Sequence, residues 1–140
     1  VLALNATIVT DRREIPADAF FKGLFTTALA EGELITAVRF PLPDKAAYVK
    51  FPNPASHYPL VGVFVARIGG AIRVAVTGAG ESGVFRVPQM EAALAKSWSA
   101  DALARIVVPA TGLNFDIHAG ADYRAHLITV MAKRAVAAAG

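Results

Sequence analysis

Apolar and small or polar residues alternate from Val1 to Thr10, a period that predicts a strand. The chain opens directly in this pattern, with neither Met nor leader, and is expected to enter a fold already under way. Asp11 to Glu14 form a charged turn, and Pro16 then suits the first residue of a short helix, with Asp18 in its first turn. Phe20, Phe21, Leu24 and Phe25 form an apolar cluster that Gly23 interrupts, so irregular chain should follow. Glu33 to Pro41 reads as a strand ended by proline, and Pro41 to Lys45 as a stiff, exposed boundary. Three more strands follow, Ala46 to Phe51, Tyr58 to Ile68 and Ala71 to Thr77, the last two joined by a tight turn at Gly69-Gly70. In the last of them Ile72, Val74 and Val76 face one way, and Ala71, Arg73, Ala75 and Thr77 the other, so one face should be buried and the other wet.

The period then changes. Pro88 opens a helix carrying Met90, Ala93 and Leu94. Ser99 is a candidate N-cap for a further helix with Leu103, Ile106 and Val107 at helical spacing, stopped by Pro109. Asn114 to His118 is irregular, and a last helix runs from about Ala121 to Ala138, with Tyr123, Leu127, Val130, Met131 and Ala135 on one side. Strands followed by helices predict an α+β fold, an antiparallel sheet with a C-terminal helical layer.

Composition narrows the function classes. Of 140 residues, 55% are apolar and 18% charged, too hydrophobic for disorder and rich enough to suggest apolar surface covered by other protein. The net charge of +3 is scattered, with no basic run to follow a nucleic acid. Cysteine is absent, which excludes disulfides and thiolate metal ligands. Apolar runs broken by Arg67 and Arg73 are too short to span a bilayer, and a cytoplasmic setting, or one peripheral to the inner face of a membrane, is expected.

Several motifs lose weight on inspection. Gly78 to Gly83 spells G-x-G-x-x-G after a strand, but a dinucleotide site needs a helix N-terminus directly behind the glycines. Pro88 starts its helix too late, and the preceding strand is half of a hairpin, so a flexible connection is expected. His57, His118 and His126 lack the spacing of a metal site. Ser56 and His57 are adjacent, which does not set a hydroxyl against an imidazole, and Glu31 and Glu33 are expected in a solvated loop. Lys50 to Tyr58 stands apart: polar, stiffened by Pro52, Pro54 and Pro59, and held between apolar strands, the setting in which binding residues are often found.

The stretch from Tyr48 to Val63, Tyr-Val-Lys-Phe-Pro-Asn-Pro-Ala-Ser-His-Tyr-Pro-Leu-Val-Gly-Val, resembles the opening of the C-terminal domain of the flavoprotein (medium) subunits of molybdenum hydroxylases, the group of aerobic carbon monoxide dehydrogenases and xanthine dehydrogenases. Phe20 to Pro41 resembles the end of the preceding FAD-binding domain, and Asp116 to Leu127 with Lys133 to Val136 the closing helix. The resemblance implies a fold like that C-terminal domain at residues 44–140, preceded at 1–43 by the incomplete tail of an FAD-binding α+β domain. It implies an electron-transferring oxidoreductase whose FAD relays electrons from iron–sulfur clusters in a small subunit to an acceptor. A large subunit with a molybdenum cofactor would oxidise the substrate. Residue by residue, Ile35 corresponds to an apolar residue against the isoalloxazine, Lys50 to a lysine near the ring, Tyr58 to a mobile-loop position over the ring's exposed face, and His57 to a neighbour. An arginine common in related loops is replaced here by Pro52 or Asn53. The family's glycine-rich phosphate loops belong to an N-terminal half that would be a partner of this chain, which alone is expected to bind FAD poorly and to be inactive. The alternative is a non-enzymatic α+β docking module without a cofactor of its own.

Overall fold

Two antiparallel sheets, each with its own apolar cluster, divide the chain in the computed structural model, which describes residues 1–140. The first sheet has the order β2-β1-β5, with β1 at Thr7–Thr10, β2 at Glu14–Pro16 and β5 at Ile35–Arg39. Between β2 and β5 come a single helical turn, α1 (Ala17–Phe20), and a small hairpin of β3 (Phe21–Gly23) and β4 (Thr26–Thr27). Ile8, Ile15, Ala17 and Phe20 form this region's core. The long expected strand from Val1 is therefore confined to Thr7–Thr10, because Asn5 turns the backbone at positive φ. The chain after Phe20 is paired rather than irregular.

The second sheet has the order β6-β7-β8-β9: Lys45–Pro52, Pro59–Ile68, Ala71–Thr77 and Phe85–Arg86. Gly69 and Gly70 both take positive φ, as a two-residue hairpin turn requires. Register sets Val49 opposite Val63 and Val63 opposite Val76, so β-branched residues of three strands share one face. Two helices cover that face: α2 (Pro88–Lys96), begun by Pro88 in its first turn, and α3 (Ala121–Ala139). Met90, Leu94, Leu103, Ile128 and Met131 fill the space between, all essentially without solvent contact. Burying a side chain of this size contributes about 1.5–3 kcal/mol, so this layer dominates the stability of the larger unit.

Two expectations fail here for tertiary reasons. The helix predicted from Ser99 is one 3₁₀ turn, Ala100–Leu103, which Ser99 does cap by accepting from the Ala102 amide. Leu103 is fully buried, but Val107 lies in solvent and the other buried residue, Val108, is off the face of Leu103, so little rewards a longer helix. The second failure is the wet face of β8. Arg73 and Ala75 are buried there, because the chain from Val1 to Leu4 lies over that side of the sheet. Arg73 donates from Nε to the Leu2 carbonyl at 3.0 Å and pairs through Nη2 with Asp18. Arg86 bridges Asp18 to Glu91, whose Oε1 also accepts from the Val74 amide at 3.0 Å. Burial alone would raise the Asp18 carboxyl, but Arg73 and Arg86 outweigh it and hold the group below its usual value.

Candidate functional site

The Lys50–Tyr58 loop joins β6 to β7 and is built from internal hydrogen bonds. The Asn53 amide donates to the Tyr58 carbonyl at 2.7 Å, and the His57 amide to the Asn53 carbonyl at 2.9 Å. Asn53 is itself buried, and its Oδ1 accepts from the amides of Ala55 and Ser56 at 2.9 and 3.2 Å. That is an Asx-type turn, the local structure an Asn-Pro pair favours. His57 takes φ of 60°, a left-handed conformation uncommon outside glycine, and the surrounding bonds hold it there.

Lys50 lies on the outer face of the sheet, opposite Gly62, and its Nζ donates to the His57 carbonyl at 2.9 Å. One of three ammonium donors is thus used to hold the loop, and the exposed side chain leaves the others free. Tyr58 is 77% exposed, with no side-chain partner. A locked backbone, one cation and one bare aromatic face suit a flat, electron-rich ring held against the loop. Ile35 does not join this group directly. It lies in the first sheet, paired with Thr10, and is 46% exposed. Lys50, His57 and Tyr58 are brought together by the fold; Ile35 shares neither sheet nor hydrogen bond with them.

The glycine motif does not form a phosphate cradle. Gly78 stands at φ 81° with its Cα against Pro59, Gly80 bridges to Leu113, and Asn114 Nδ2 donates to the carbonyls of Gly78 and Gly80 at 3.2 and 3.4 Å. The connection expected to be flexible is tied down on both sides, and the next α-helix begins only at Pro88. The largest cleft, about 450 Å³, lies beside it between Ser82–Gln89 and Val108–Leu113 and contains none of the loop residues. Nothing among these glycines fits a pyrophosphate.

Glu33, expected in solvent, is a correction. Its carboxylate is fully enclosed and accepts from Arg13 Nε and Nη2, both at 2.9 Å, from the Ala30 amide at 2.7 Å and from Thr10 Oγ1 at 2.8 Å. The Arg13 hydrogen bond, with those of Ala30 and Thr10, holds its pKa down to about 2. It shapes the turn before β5 and has no free oxygen for chemistry.

The residue missed altogether is Arg124. Helical spacing puts Tyr123 on the inward stripe of α3, but it is 46% exposed, while Arg124 is 2% exposed. Its signal was present: Arg124, Ile128, Met131 and Ala135 follow one helical face, and a charge on an apolar stripe is a buried polar group needing partners.

Residues 1–43 match a family model described as the FAD binding domain in molybdopterin dehydrogenase. The whole chain is similar to the nicotine 6-hydroxylase medium subunit of Paenarthrobacter nicotinovorans, 34% identical over an alignment 155 residues long and covering 54% of that protein. It is 31% identical to the carbon monoxide dehydrogenase medium chain of Hydrogenophaga pseudoflava, across 91% of this chain and 48% of the relative. A glyceraldehyde dehydrogenase medium chain from Sulfolobus acidocaldarius matches 46% of the chain at 41% identity. The fold recurs in the crystal structure of quinoline 2-oxidoreductase from Pseudomonas putida 86, with a TM-score of 0.69 over 99% of this chain and 53% of that one.

The fold is therefore an α+β arrangement of antiparallel sheets closed by a C-terminal helix, shared with an oxidoreductase. Along its whole length the chain is similar to medium subunits of the molybdenum hydroxylase family, and its residues 1–43 match the FAD binding domain of such subunits. It spans about half the length of the relatives it matches along its whole extent. No helix is long and apolar enough to cross a membrane.

Proposed function

We propose that this chain supplies one wall of the flavin site in the medium subunit of a molybdenum-containing hydroxylase or dehydrogenase. Residues 1–43 would complete an FAD-binding domain and 44–140 form its companion domain, divided at the Pro41–Lys45 linker. The observation that carries the reading is the relationship to medium subunits along the whole chain. FAD, when bound, supplies the electron relay between the iron–sulfur clusters of a small subunit and an acceptor. This chain's residues bind and orient. Lys50 sets a positive charge beside the loop, which favours electron-rich forms of a nearby ring. Tyr58 offers a stacking face, His57 borders it, and Ile35 offers an apolar contact from the first sheet. Phosphate binding falls to an N-terminal region and substrate oxidation to a molybdenum-bearing large subunit.

Co-expression with the N-terminal FAD-binding region of a medium subunit is expected to yield a yellow complex with flavin absorbance. Two parts that stay apart, colourless, overturn the proposal. A second reading, a docking module without a cofactor, draws on exposed Phe25, Leu42 and Ile117. It gains if Lys50→Ala and Tyr58→Ala leave flavin reduction and reoxidation unchanged in that complex.

A further inference from the structure

The first turn of α3 holds both ends of the Lys50–Tyr58 loop. On the incoming strand, the Tyr123 ring meets Phe51 edge-on, centroids 6.2 Å apart. On the outgoing strand, buried Arg124 donates from Nη1 to the Leu60 carbonyl at 2.6 Å and to the Gly78 carbonyl at 3.2 Å. Its Nη2 donates to Asp116 Oδ2 at 2.7 Å. Asp116 is held in turn by the amides of His118 and Ala119, which donate to its Oδ1 at 2.9 and 3.0 Å.

The place of this fork matters. The regular β7–β8 ladder ends with Gly62 opposite Thr77. Just beyond, where β7 emerges from the loop, Arg124 spans the Leu60 and Gly78 carbonyls in place of further rungs. A planar guanidinium has the donors and spacing for three acceptors; an ammonium concentrates its charge at one point. A buried guanidinium is tolerated only when so paired.

We infer that Arg124 is a positioning residue: it fixes the backbone at Leu60 and, through the intervening Pro59, the orientation of Tyr58. Its consequence at a flavin rests on the function proposed above; its hold on the loop rests on the geometry alone. A merely structural role would loosen the whole helix-covered sheet together. A positioning role loosens the loop first.

Residue-resolved amide exchange on the full chain separates these. In Arg124→Lys, the Asn53 and His57 amides, which close the loop, are expected to exchange about ten-fold faster, while the Met131 amide inside α3 stays protected. Where an Arg124 variant does not fold, Asp116→Asn, which removes the charge facing Nη2 and keeps an oxygen for the His118 and Ala119 amides, carries the same measurement. Unchanged loop amides, or a uniform rise that includes Met131, overturn the inference whatever the flavin does. In the flavin-bearing complex, Arg124→Lys is expected to raise flavin fluorescence at constant FAD content by relieving quenching by Tyr58. Adding Tyr58→Ala should then give no further rise. Should loop exchange rise while neither variant alters the flavin, Arg124 keeps its role and the loop loses its place beside the ring.

Discussion

Glu33 and Arg124 carry the two charges most fully enclosed by their surroundings. Glu33 sits below its usual pKa, so it stabilises the fold when ionised. That contribution is complete above the ordinary carboxylate value of 4.5 and is lost as pH falls from there toward about 2. Comparing denaturant midpoints of the native chain and Glu33→Gln should show a gap that is constant near neutrality and closes across that acidic window. A gap independent of pH would mean the amide fails for reasons of shape alone. The weight of Arg124 appears on truncation. Arg124→Ala removes the side-chain donor from the Leu60 carbonyl, at about 1–3 kcal/mol for a buried group not rescued by water, while the Gly78 carbonyl keeps the Asn114 side-chain amide as a donor. Asp116, partly exposed, regains hydration and adds little. Chemical denaturation should therefore find Arg124→Ala well below Arg134→Ala, a change at an exposed position of the same helix.

Glycines within β8 and its turns show how one residue type answers to different elements. Gly70 at φ 87° and Gly78 at φ 81° both occupy the left-handed region. An added Cβ meets nothing at Gly70, whereas at Gly78 it would lie 2.3 Å from the Pro59 carbonyl oxygen. Gly70→Ala should cost only the conformational penalty, about 1–2 kcal/mol. Gly78→Ala adds a backbone clash and should cost clearly more, read as a larger fall in midpoint at unchanged slope. Equal costs would show that the chain beneath Gly78 yields freely. On the helical side, Met131→Ala empties space between α3 and the sheet and is expected to cost about 2–5 kcal/mol.

Across the whole molecule, apolar exposure is uneven. Every residue of β5 is exposed, and Leu34, Val38, Phe40 and Leu42 add apolar area along a strand whose outer edge has no partner. Phe25, 99% exposed at positive φ, tips the nearby hairpin. Such an edge invites pairing with another strand. Alone, the chain is expected to self-associate as its concentration rises, and Val38→Lys should reduce this in sedimentation velocity. Weight-average mass that ignores the substitution would place the association elsewhere. Covering the same edge by an N-terminal FAD-binding region should abolish the effect, in keeping with the proposed function.

Much of this architecture was legible in the residues because it depends on local periodicity. Alternation in β6, β7 and β8, the Gly69-Gly70 turn, Pro88 at the start of α2 and the apolar stripe of α3 are consequences of backbone geometry and burial on one side of an element. The polar, proline-stiffened loop from Lys50 to Tyr58 was visible for the same reason, and so was the failure of the glycine motif, since a helix starting at Pro88 leaves no dipole behind it. What only the tertiary structure decided were matters of who covers whom. Val1 to Leu4 bury the face of β8 that alternation alone leaves wet. Glu33 is enclosed because Thr10, at the end of the neighbouring strand, and Arg13, in the turn after it, converge on it across about twenty residues of sequence. Arg124, far from the loop in sequence, meets Leu60 because α3 folds back across β7. Periodicity records the face a residue turns inward, but not the atoms it finds there, and those atoms set the hydrogen bonds, the charge states and the shape of the loop.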